Sequence, residues 1–296
     1  MTLVPFDDRD GWIWFDGEFV PWRDAKIHVL THGLHYASSV FEGARFYGGK
    51  AFELTRHSQR LHRSAELLGM KLPYTVAELD QACIETAKRM GLEDAYVRPI
   101  AWRGSEVISI AARPTRIHVA IAVWAWPSYF PRDQRIKGIR LTTAGWRRPA
   151  PDTIPSEAKA AGLYMICTLS KHLAEEAGYT DAMMLDYRGY ISEATGANIF
   201  FVRDGALHTP IPDCFLNGIT RQTVIRLARA RGVEVVERHI RPDELWTFSE
   251  CFLTGSAAEV TPVSEISGQR FAPGELTLSL MDEYSEFAGR RVPVDA

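Results

Sequence analysis

The sequence predicts an α+β protein of two domains. Its 296 residues exceed the length of one ordinary small domain and suffice for two modest cores. Strand-like and helical runs are mixed in each half, and a β-hairpin signal occurs in both halves. A segment rich in proline and charge, PSYFPRDQRIKG, follows a long apolar run and predicts a linker. We therefore expect a first domain over 1–126, a linker over 127–137 and a second domain over 138–296.

The first half is predicted to begin as sheet and to continue with two helices. WIWFDGEFVPW contains two alternating apolar runs around Asp16-Gly17, a strong hairpin signal. LTRHSQRLHRSAELLG has apolar residues at helical spacing and Thr55 as its cap, and TVAELDQACIETAKRMG opens with the capping box Thr75 to Glu78. The runs AYVRPIAW and IHVAIAVWAW predict two buried strands.

The second half is predicted to mix strands, a second hairpin and two helices. IRLTT predicts a strand, WRRPAPDTIPS a loop, 163–177 a helix and DAMMLD another strand. NIFFVRDGALHTP predicts a hairpin that turns at Asp204-Gly205. The helix ITRQTVIRLARARG, the strand VEVVERHI and the strand-turn-strand segment ECFLTGSAAEVTPV complete an α+β half.

Composition excludes several classes of partner. The net charge of −3 and the charged content of 24% give no basic surface for nucleic acid or for an anionic membrane. No segment approaches the length of a membrane span. The four cysteines are widely spaced, form no CxxC pair and favour neither disulfides nor a metal site, which predicts a cytoplasmic protein. The motifs GxGxxG, GxxxxGK[ST], GxSxG and HExxH are absent.

One lysine, Lys159, lies among small residues in IPSEAKAAGLYM. Taken alone, such a lysine is usually a solvated residue at a helix end, although a desolvated amine forms Schiff bases with carbonyl groups. Three more segments change this interpretation: GYISEATGANIF carries Glu193, and LNGITRQT and TGSAAE offer backbone N–H groups to an anion. With Arg60, they supply an amine, a carboxylate and phosphate ligands, which are the groups that pyridoxal phosphate requires.

The chain resembles the branched-chain amino acid aminotransferases, which are class IV, fold-type IV, pyridoxal-phosphate enzymes. Seven segments occur in the family's order: HGLHYASSVFEGAR, QRLHRSA, AYVRP, IPSEAKAAG, GYISEATGANIF, NGITR and GSAAEVTPV. The resemblance implies a smaller N-terminal α/β domain, a larger C-terminal pseudo-barrel α/β domain and a homodimer or higher homo-oligomer. It also implies amino-group transfer between leucine, isoleucine or valine and 2-oxoglutarate by a ping-pong Schiff-base mechanism.

The resemblance assigns the cofactor contacts residue by residue. It implies that Lys159 forms the Schiff base with pyridoxal phosphate and then moves the proton, that Glu193 faces the pyridine nitrogen, and that Tyr164 binds the phenolic oxygen. The implied phosphate ligands are Arg60, the N–H groups of Ile219 and Thr220, and the hydroxyl of Ser256.

The resemblance also implies the substrate contacts. The α-carboxylate would be bound by Tyr96 and by the turn amides of Ser256 and Ala257. The distal carboxylate of glutamate would be bound by Arg98 with Tyr129. The apolar pocket would be lined by Phe41, Gly43, Trp126 and Tyr36, with Tyr36 contributed by the second subunit, and Arg45 would orient the tyrosines.

Some segments depart from the family pattern and leave the substrate open. RGSEVISIAARPTR, over 103–116, replaces a glycine- and proline-containing loop, Asn217 stands where proline is more usual, and the C-terminal FAGRRVPVDA lacks a tryptophan. A D-amino acid or (R)-amine transaminase and an aminodeoxychorismate lyase share the same fold. A non-catalytic relative is the alternative from a different class of protein.

Overall fold

The chain forms two compact units. The computed structural model describes residues 4–126 and 136–289, so Tyr129 and most of the predicted linker lie outside the described residues. The first unit contains Met1–Pro127 and Ala158–Gly162, and the second contains Ser128–Glu157 and Leu163–Ala296. No helix in the described ranges is long and apolar enough to cross a membrane.

Backbone pairing explains why the short segment Ala158–Gly162 belongs to the first unit. The N–H of Phe41 donates to the carbonyl of Lys159 at 3.0 Å, and Val40 forms an antiparallel bridge with Ala160. The division predicted from the sequence placed this segment in the second domain, because partners so distant in the chain leave no local pattern. The domain limits at 126 and 138 stay a prediction.

An antiparallel sheet forms the frame of the first unit. Its strands are β1 (Trp12–Phe15), β2 (Glu18–Pro21), β3 (Ser39–Phe41), β4 (Ala44–Tyr47), β5 (Lys50–Phe52), β6 (Ala95–Arg103) and β7 (Ile117–Ala125). Their order is β2-β1-β7-β6-β4-β5, and β3 also pairs with β6. The predicted hairpin at Asp16-Gly17 is confirmed, and both turn residues have positive φ, as a type I′ turn requires.

The helices of the first unit are α1 (His32–Tyr36), α2 (Leu54–Leu67) and α3 (Val76–Arg89). The capping box of Thr75 and Glu78 at the start of α3 is confirmed. The predicted cap Thr55 is wrong: the cap residue is Glu53, and Thr55 is the second residue of the helix, where its exposed hydroxyl donates to Asp80 at 2.6 Å. α2 packs on α3, β3 and β4 through its buried face.

The second unit is built around a ring of strands. Its strands are β8 (Ile139–Arg148), β9 (Asp181–Asp186), β10 (Ile191–Ala194), β11 (Asn198–Arg203), β12 (Ala206–Thr209), β13 (Val235–Glu237), β14 (Glu250–Gly255), β15 (Glu259–Ile266) and β16 (Gln269–Arg270). The order is β10-β9-β8-β15-β14-β11-β12-β13, and β10 also pairs with β11. Six strands therefore close on themselves, and the closing pair is Glu193 opposite Asn198. This is the barrel-like arrangement that the resemblance implied.

Three helices flank this ring: α4 (Met165–Glu176), α5 (Ile219–Ala230) and α6 (Glu275–Phe287). α4 packs on β8 and β9, whereas α5 and α6 pack on each other and on β14. The hairpin at Asp204-Gly205 is confirmed. β8 continues to Arg148, into the segment predicted as loop, because its parallel pairing with β9 resumes after an irregularity between Thr143 and Arg147. The helix α6 was not predicted from the sequence.

Candidate active site

Lys159 lies in the first unit against the end of β3. Its neighbours Ala158 and Ala160 are buried, so small side chains surround a lysine that is itself only half-exposed. The amine Nζ lies 4.9 Å from the centre of the Phe41 ring, within the range of a cation–π contact. The predicted nucleophile and one predicted pocket residue therefore lie side by side.

Predicted substrate residues gather around this pair on β4 and β6. Arg98 lies 4.8 Å from the ring centre of Phe41, and its Nη2 donates to the hydroxyl of Tyr96 at 3.1 Å. Tyr96 and Arg98 are two residues apart on β6 and therefore point to the same face of the sheet. Arg98 Nε is buried without a hydrogen bond, and Arg98 forms no ion pair with a carboxylate in the described ranges. This arginine is therefore suited to an anionic ligand.

Close packing explains the glycine of the FEGAR segment. A Cβ on Gly43 would lie 1.9 Å from the Tyr96 hydroxyl, so only glycine lets the tyrosine reach this position. Arg45 is paired with Tyr96 across β4 and β6 and donates from Nη2 to the carbonyl of Trp126 at 2.9 Å. The Trp126 and Tyr96 rings lie 5.5 Å apart. The structure thus brings together Phe41, Gly43, Arg45, Tyr96, Arg98, Trp126 and Lys159.

Arg60 is held by a carboxylate that the sequence prediction missed. Glu42 is fully buried and accepts from Arg60 Nε at 2.6 Å, from Arg60 Nη2 at 2.9 Å and from His57 Nδ1 at 2.7 Å. Burial alone would raise the pKa of Glu42, but Arg60 and His57 outweigh it and hold that pKa well below its usual range. Burial lowers the pKa of His57, which is therefore neutral at pH 7.

Tyr36 lies in the short helix before β3. It is the last residue of α1, it is 44% exposed, and its ring lies 4.6 Å from that of His32. The loop over 103–116 adjoins α1, because the carbonyl of Ser109 lies 3.0 Å from His32 Nε2.

In the second unit, Glu193 contacts the polar side chains of Arg148 and Asn198. Arg148 Nε lies 3.3 Å from Glu193 Oε1, and Asn198 Nδ2 donates to Glu193 Oε2 at 3.2 Å. All three side chains are buried. Burial disfavours the charged guanidinium, yet the charge of Glu193 keeps the pKa of Arg148 above its ordinary value. The carboxylate is thus fixed in orientation at the strand pair that closes the ring.

Asn198 also connects this carboxylate to the start of α5. Its Oδ1 accepts the N–H of Gly218 at 3.1 Å, and its Nδ2 also donates to the carbonyl of Leu216 at 2.9 Å. A Cβ on Gly218 would lie 2.2 Å from Asn198 Oδ1, so the close approach requires glycine. Gly218 supplies no side-chain cap, which leaves the first N–H groups of α5, those of Ile219 and Thr220, for an anion.

The third predicted segment of the second unit is the turn between β14 and β15. Ser256 and Ala257 lie in its three-residue loop and are half-buried. Glu259, which ends the loop, is buried at a φ of +54°, a conformation uncommon for a residue with a side chain. Thr254, opposite Asn198 on β14, has a buried hydroxyl without a hydrogen-bond partner in the described ranges. Such an orphaned hydroxyl fits a ligand or water that supplies the partner.

Tyr164 directly precedes α4 and is half-buried. It lies close enough to Arg148 for its phenol to help raise the pKa of that guanidinium. Arg148 Nη1 also donates to the Cys167 sulfur at 3.3 Å, while burial raises the pKa of the Cys167 thiol to about 11. The second unit therefore places Tyr164 and Glu193 around one buried arginine.

Five polar residues that hold these side chains were missed from the sequence: Glu42, His57, Arg148, Asn198, and Ser64, whose Oγ accepts the N–H of Lys159. Two carried a local signal, because a glutamate in SVFEGAR and an asparagine in GANIFF interrupt apolar runs that become strands. Each unit, taken by itself, offers groups that pyridoxal phosphate requires. The first has an amine, and the second has a buried carboxylate, a helix start without a side-chain cap at a required glycine, and a buried hydroxyl without a hydrogen-bond partner among the described residues.

Comparisons with known proteins identify the family. The family model described as Amino-transferase class IV matches residues 39–266. A probable branched-chain-amino-acid aminotransferase of Rickettsia felis is 45% identical over 266 residues, 90% of each chain. The branched-chain-amino-acid aminotransferase of Pseudomonas aeruginosa is 42% identical over 90% of this chain and 88% of its own.

Solved structures agree with the sequence comparisons. The branched-chain amino acid aminotransferase of Thermobaculum terrenum in its PLP form aligns at a TM-score of 0.87, with 32% identity over 95% of each chain. The Escherichia coli branched-chain amino acid aminotransferase aligns at 0.91, with 36% identity over 97% of each chain. The predicted α/β fold class is confirmed. The chain therefore belongs to the branched-chain amino acid aminotransferase family of fold-type IV, class IV aminotransferases.

Proposed function

We propose that this aminotransferase moves the amino group between branched-chain L-amino acids and 2-oxoglutarate by a ping-pong mechanism. The observation that carries the proposal is the cluster in the first unit, where the Lys159 amine, the Phe41 ring and the Arg98 guanidinium are in contact. A site for this reaction must accept an aliphatic side chain from one substrate and a second carboxylate from the other. It therefore needs an amine, an apolar wall and a cation. The relatives that are branched-chain-amino-acid aminotransferases support the same substrates.

Pyridoxal phosphate is the cofactor of this family, and when bound it supplies an electron sink for negative charge at the substrate α-carbon. Lys159 would hold the cofactor through its amine and, when free, would move the proton of the substrate α-carbon. Glu193, which Arg148 and Asn198 hold in position, would lie at the pyridine nitrogen. Tyr164 would donate to the phenolic oxygen.

Four groups are proposed to bind the phosphate. The N–H groups of Ile219 and Thr220 open α5, whose dipole favours an anion at this end. Arg60 supplies a guanidinium whose plane Glu42 fixes by two hydrogen bonds. Ser256 adds a hydroxyl from the turn after β14.

The substrate contacts divide by chemistry. Tyr96 and the amides of Ser256 and Ala257 bind the α-carboxylate, and Arg98 with Tyr129 binds the distal carboxylate of glutamate. Arg98 suits this role because its buried Nε has no hydrogen-bond partner among the residues that the structure describes. Phe41, Gly43, Trp126 and the second subunit's Tyr36 line the apolar pocket, and Arg45 orients the tyrosines.

We further propose a homodimer and a cytoplasmic location. The segment before and within α1 exposes Val29 and Leu34 by 67% and 61%, and the adjoining loop exposes Ile110 by 82%. Apolar side chains exposed together mark an interaction surface, here for a second copy of the chain. Ile110→Asp should therefore lower the dimer fraction in sedimentation. The cytoplasmic location is supported by four buried free cysteines.

Steady-state assays test the substrate. L-leucine, D-alanine and an (R)-amine are each offered with 2-oxoglutarate, and we expect turnover with L-leucine at the highest kcat/KM. Double-reciprocal plots of initial rate against L-leucine concentration, at several fixed concentrations of 2-oxoglutarate, are expected to give parallel lines for a ping-pong enzyme. Activity confined to D-alanine or to the (R)-amine would reject the proposed substrate, and a protein that binds no pyridoxal phosphate would reject the enzyme.

A further inference from the structure

A buried hydroxyl on α2 binds the backbone of Lys159. Ser64 lies one helical turn beyond Arg60 and is 1% exposed. Its Oγ accepts the N–H of Lys159 at 3.0 Å. The bond is partly buried, and an N–H shielded from water is costly to leave without an acceptor, so this bond helps to fix where the lysine backbone lies.

The backbone carbonyl of Lys159 is fixed by β3. The carbonyl of Lys159 accepts the N–H of Phe41 at 3.0 Å, and the next residue, Ala160, bridges to Val40. Lys159 is thus held by a helix through its N–H and by a strand through its carbonyl. Its side chain begins from a Cα with little freedom, although the chain around it is a loop before a 3-10 turn at Ala161–Leu163.

We propose that Ser64 is a positioning residue for the Lys159 amine. α2 carries Arg60 and Ser64 on neighbouring turns, and Glu42 holds the first while the second holds Lys159. One rigid helix therefore sets the distance between the guanidinium and the lysine backbone. The inference rests on the proposed role of Lys159. A displacement of about 1 Å at a reacting group costs on the order of 100-fold in rate, so the bond matters for chemistry as well as for folding.

A purely structural role for the hydroxyl predicts a different result, and the same helix offers the matched control. Ser58 is also buried on α2, at 4% exposure, and its hydroxyl donates to Asp80 at 2.5 Å, away from the lysine. Ser58→Ala and Ser64→Ala each delete one buried hydroxyl and one hydrogen bond. Only Ser64→Ala removes a bond to Lys159.

The experiment compares cofactor-loaded wild type with Ser58→Ala, Ser64→Ala and Ser64→Thr. Borohydride reduction followed by peptide mass spectrometry measures the rate and site of cofactor attachment, and a pH titration of the visible absorbance measures the pKa of the lysine-bound cofactor. For Ser64→Ala we expect slower labelling of Lys159, a titration shifted by about half a pH unit or more, and kcat lower by roughly 10- to 100-fold.

The controls distinguish failure of the Ser64 inference from failure of the proposed role of Lys159. Ser58→Ala is expected to titrate and label like wild type, and Ser64→Thr, which keeps the hydroxyl, is expected to restore most of both readouts. If Ser64→Ala titrates and labels like Ser58→Ala, the inference is wrong while the role of Lys159 stands. If wild type is not labelled at Lys159, the proposed function and the inference are both wrong.

Discussion

Replacing Glu42 by glutamine removes one buried negative charge from the first unit with almost no change in size. The carboxylate accepts two hydrogen bonds from Arg60 and one from His57. In the variant, the side-chain NH₂ group of glutamine, itself a hydrogen-bond donor, must face the donors of Arg60 and His57. Arg60, whose side chain is only 16% exposed, keeps its positive charge without the counter-charge of Glu42.

Removal of one partner from a buried ion pair costs about 3–5 kcal/mol. Because Arg60 retains some contact with water, we expect Glu42→Gln to lower the free energy of unfolding by about 3 kcal/mol. Glu66→Gln, on the helix α2 that carries Arg60, is the matched control, since the ion pair of Glu66 with Arg63 is long, at 3.9 Å, and exposed. Urea unfolding measures both variants. A Glu42→Gln value within about 0.5 kcal/mol of the control would refute the reasoning.

The same cluster predicts that stability falls in acid. Burial lowers the pKa of His57 below its ordinary value of 6.5, so below pH 6.5 the unfolded chain takes up a proton that the folded chain resists. The contribution of neutral His57 to the free energy of unfolding is therefore complete above pH 6.5. Below pH 6.5 this contribution falls by up to about 1.4 kcal/mol per pH unit. Thermal unfolding between about pH 7.5 and 5.5 should show a shallower pH dependence for His57→Asn than for wild type, and equal slopes would contradict the assignment.

Two further predictions concern the second unit and the thiols. Gly218→Ala places a Cβ 2.2 Å from Asn198 Oδ1. We therefore expect the free energy of unfolding to fall by about 1–3 kcal/mol. We also expect pyridoxal phosphate binding, measured by fluorescence titration, to weaken by about tenfold or more. Gly145→Ala, which meets no atom within 4 Å, is the control, and equal effects in both variants would reject the close approach. The four cysteines are buried, and burial raises the pKa of Cys167 to about 11. A colorimetric disulfide reagent should therefore titrate no thiol at about pH 8 until the protein is unfolded, and fast reaction of any thiol in the native protein would contradict the burial.

Local patterns predicted most elements of the fold. The hairpins at Asp16-Gly17 and Asp204-Gly205 and the capping box at Thr75 depend on residues adjacent in the chain, so the sequence carried them in full. The cap of α2 was misplaced because Glu53 caps that helix from a left-handed conformation and forms no side-chain capping bond, so the usual cap signal of the sequence does not apply.

Pairings between distant residues could not be predicted from one sequence. The bond from Lys159 to Ser64 and the bridge of Ala160 to Val40 join segments about a hundred residues apart, and no periodicity records them. The contact of Arg148 with Glu193 depends likewise on how β8 and β10 lie around one ring. The resemblance named the residues of the site, whereas the geometry revealed the side chains that hold them.

The half-reaction with L-leucine alone tests the central claim most directly. Holoenzyme is mixed with L-leucine without an acceptor, and the visible absorbance of the lysine-bound cofactor is followed together with the 2-oxo acid released. We predict loss of that absorbance with one 2-oxo acid per subunit, recovery on addition of 2-oxoglutarate, and no release of 2-oxo acid by Lys159→Ala incubated with the same cofactor and L-leucine. Unchanged absorbance of the wild type with L-leucine, or release of one 2-oxo acid per subunit by Lys159→Ala, would contradict the account.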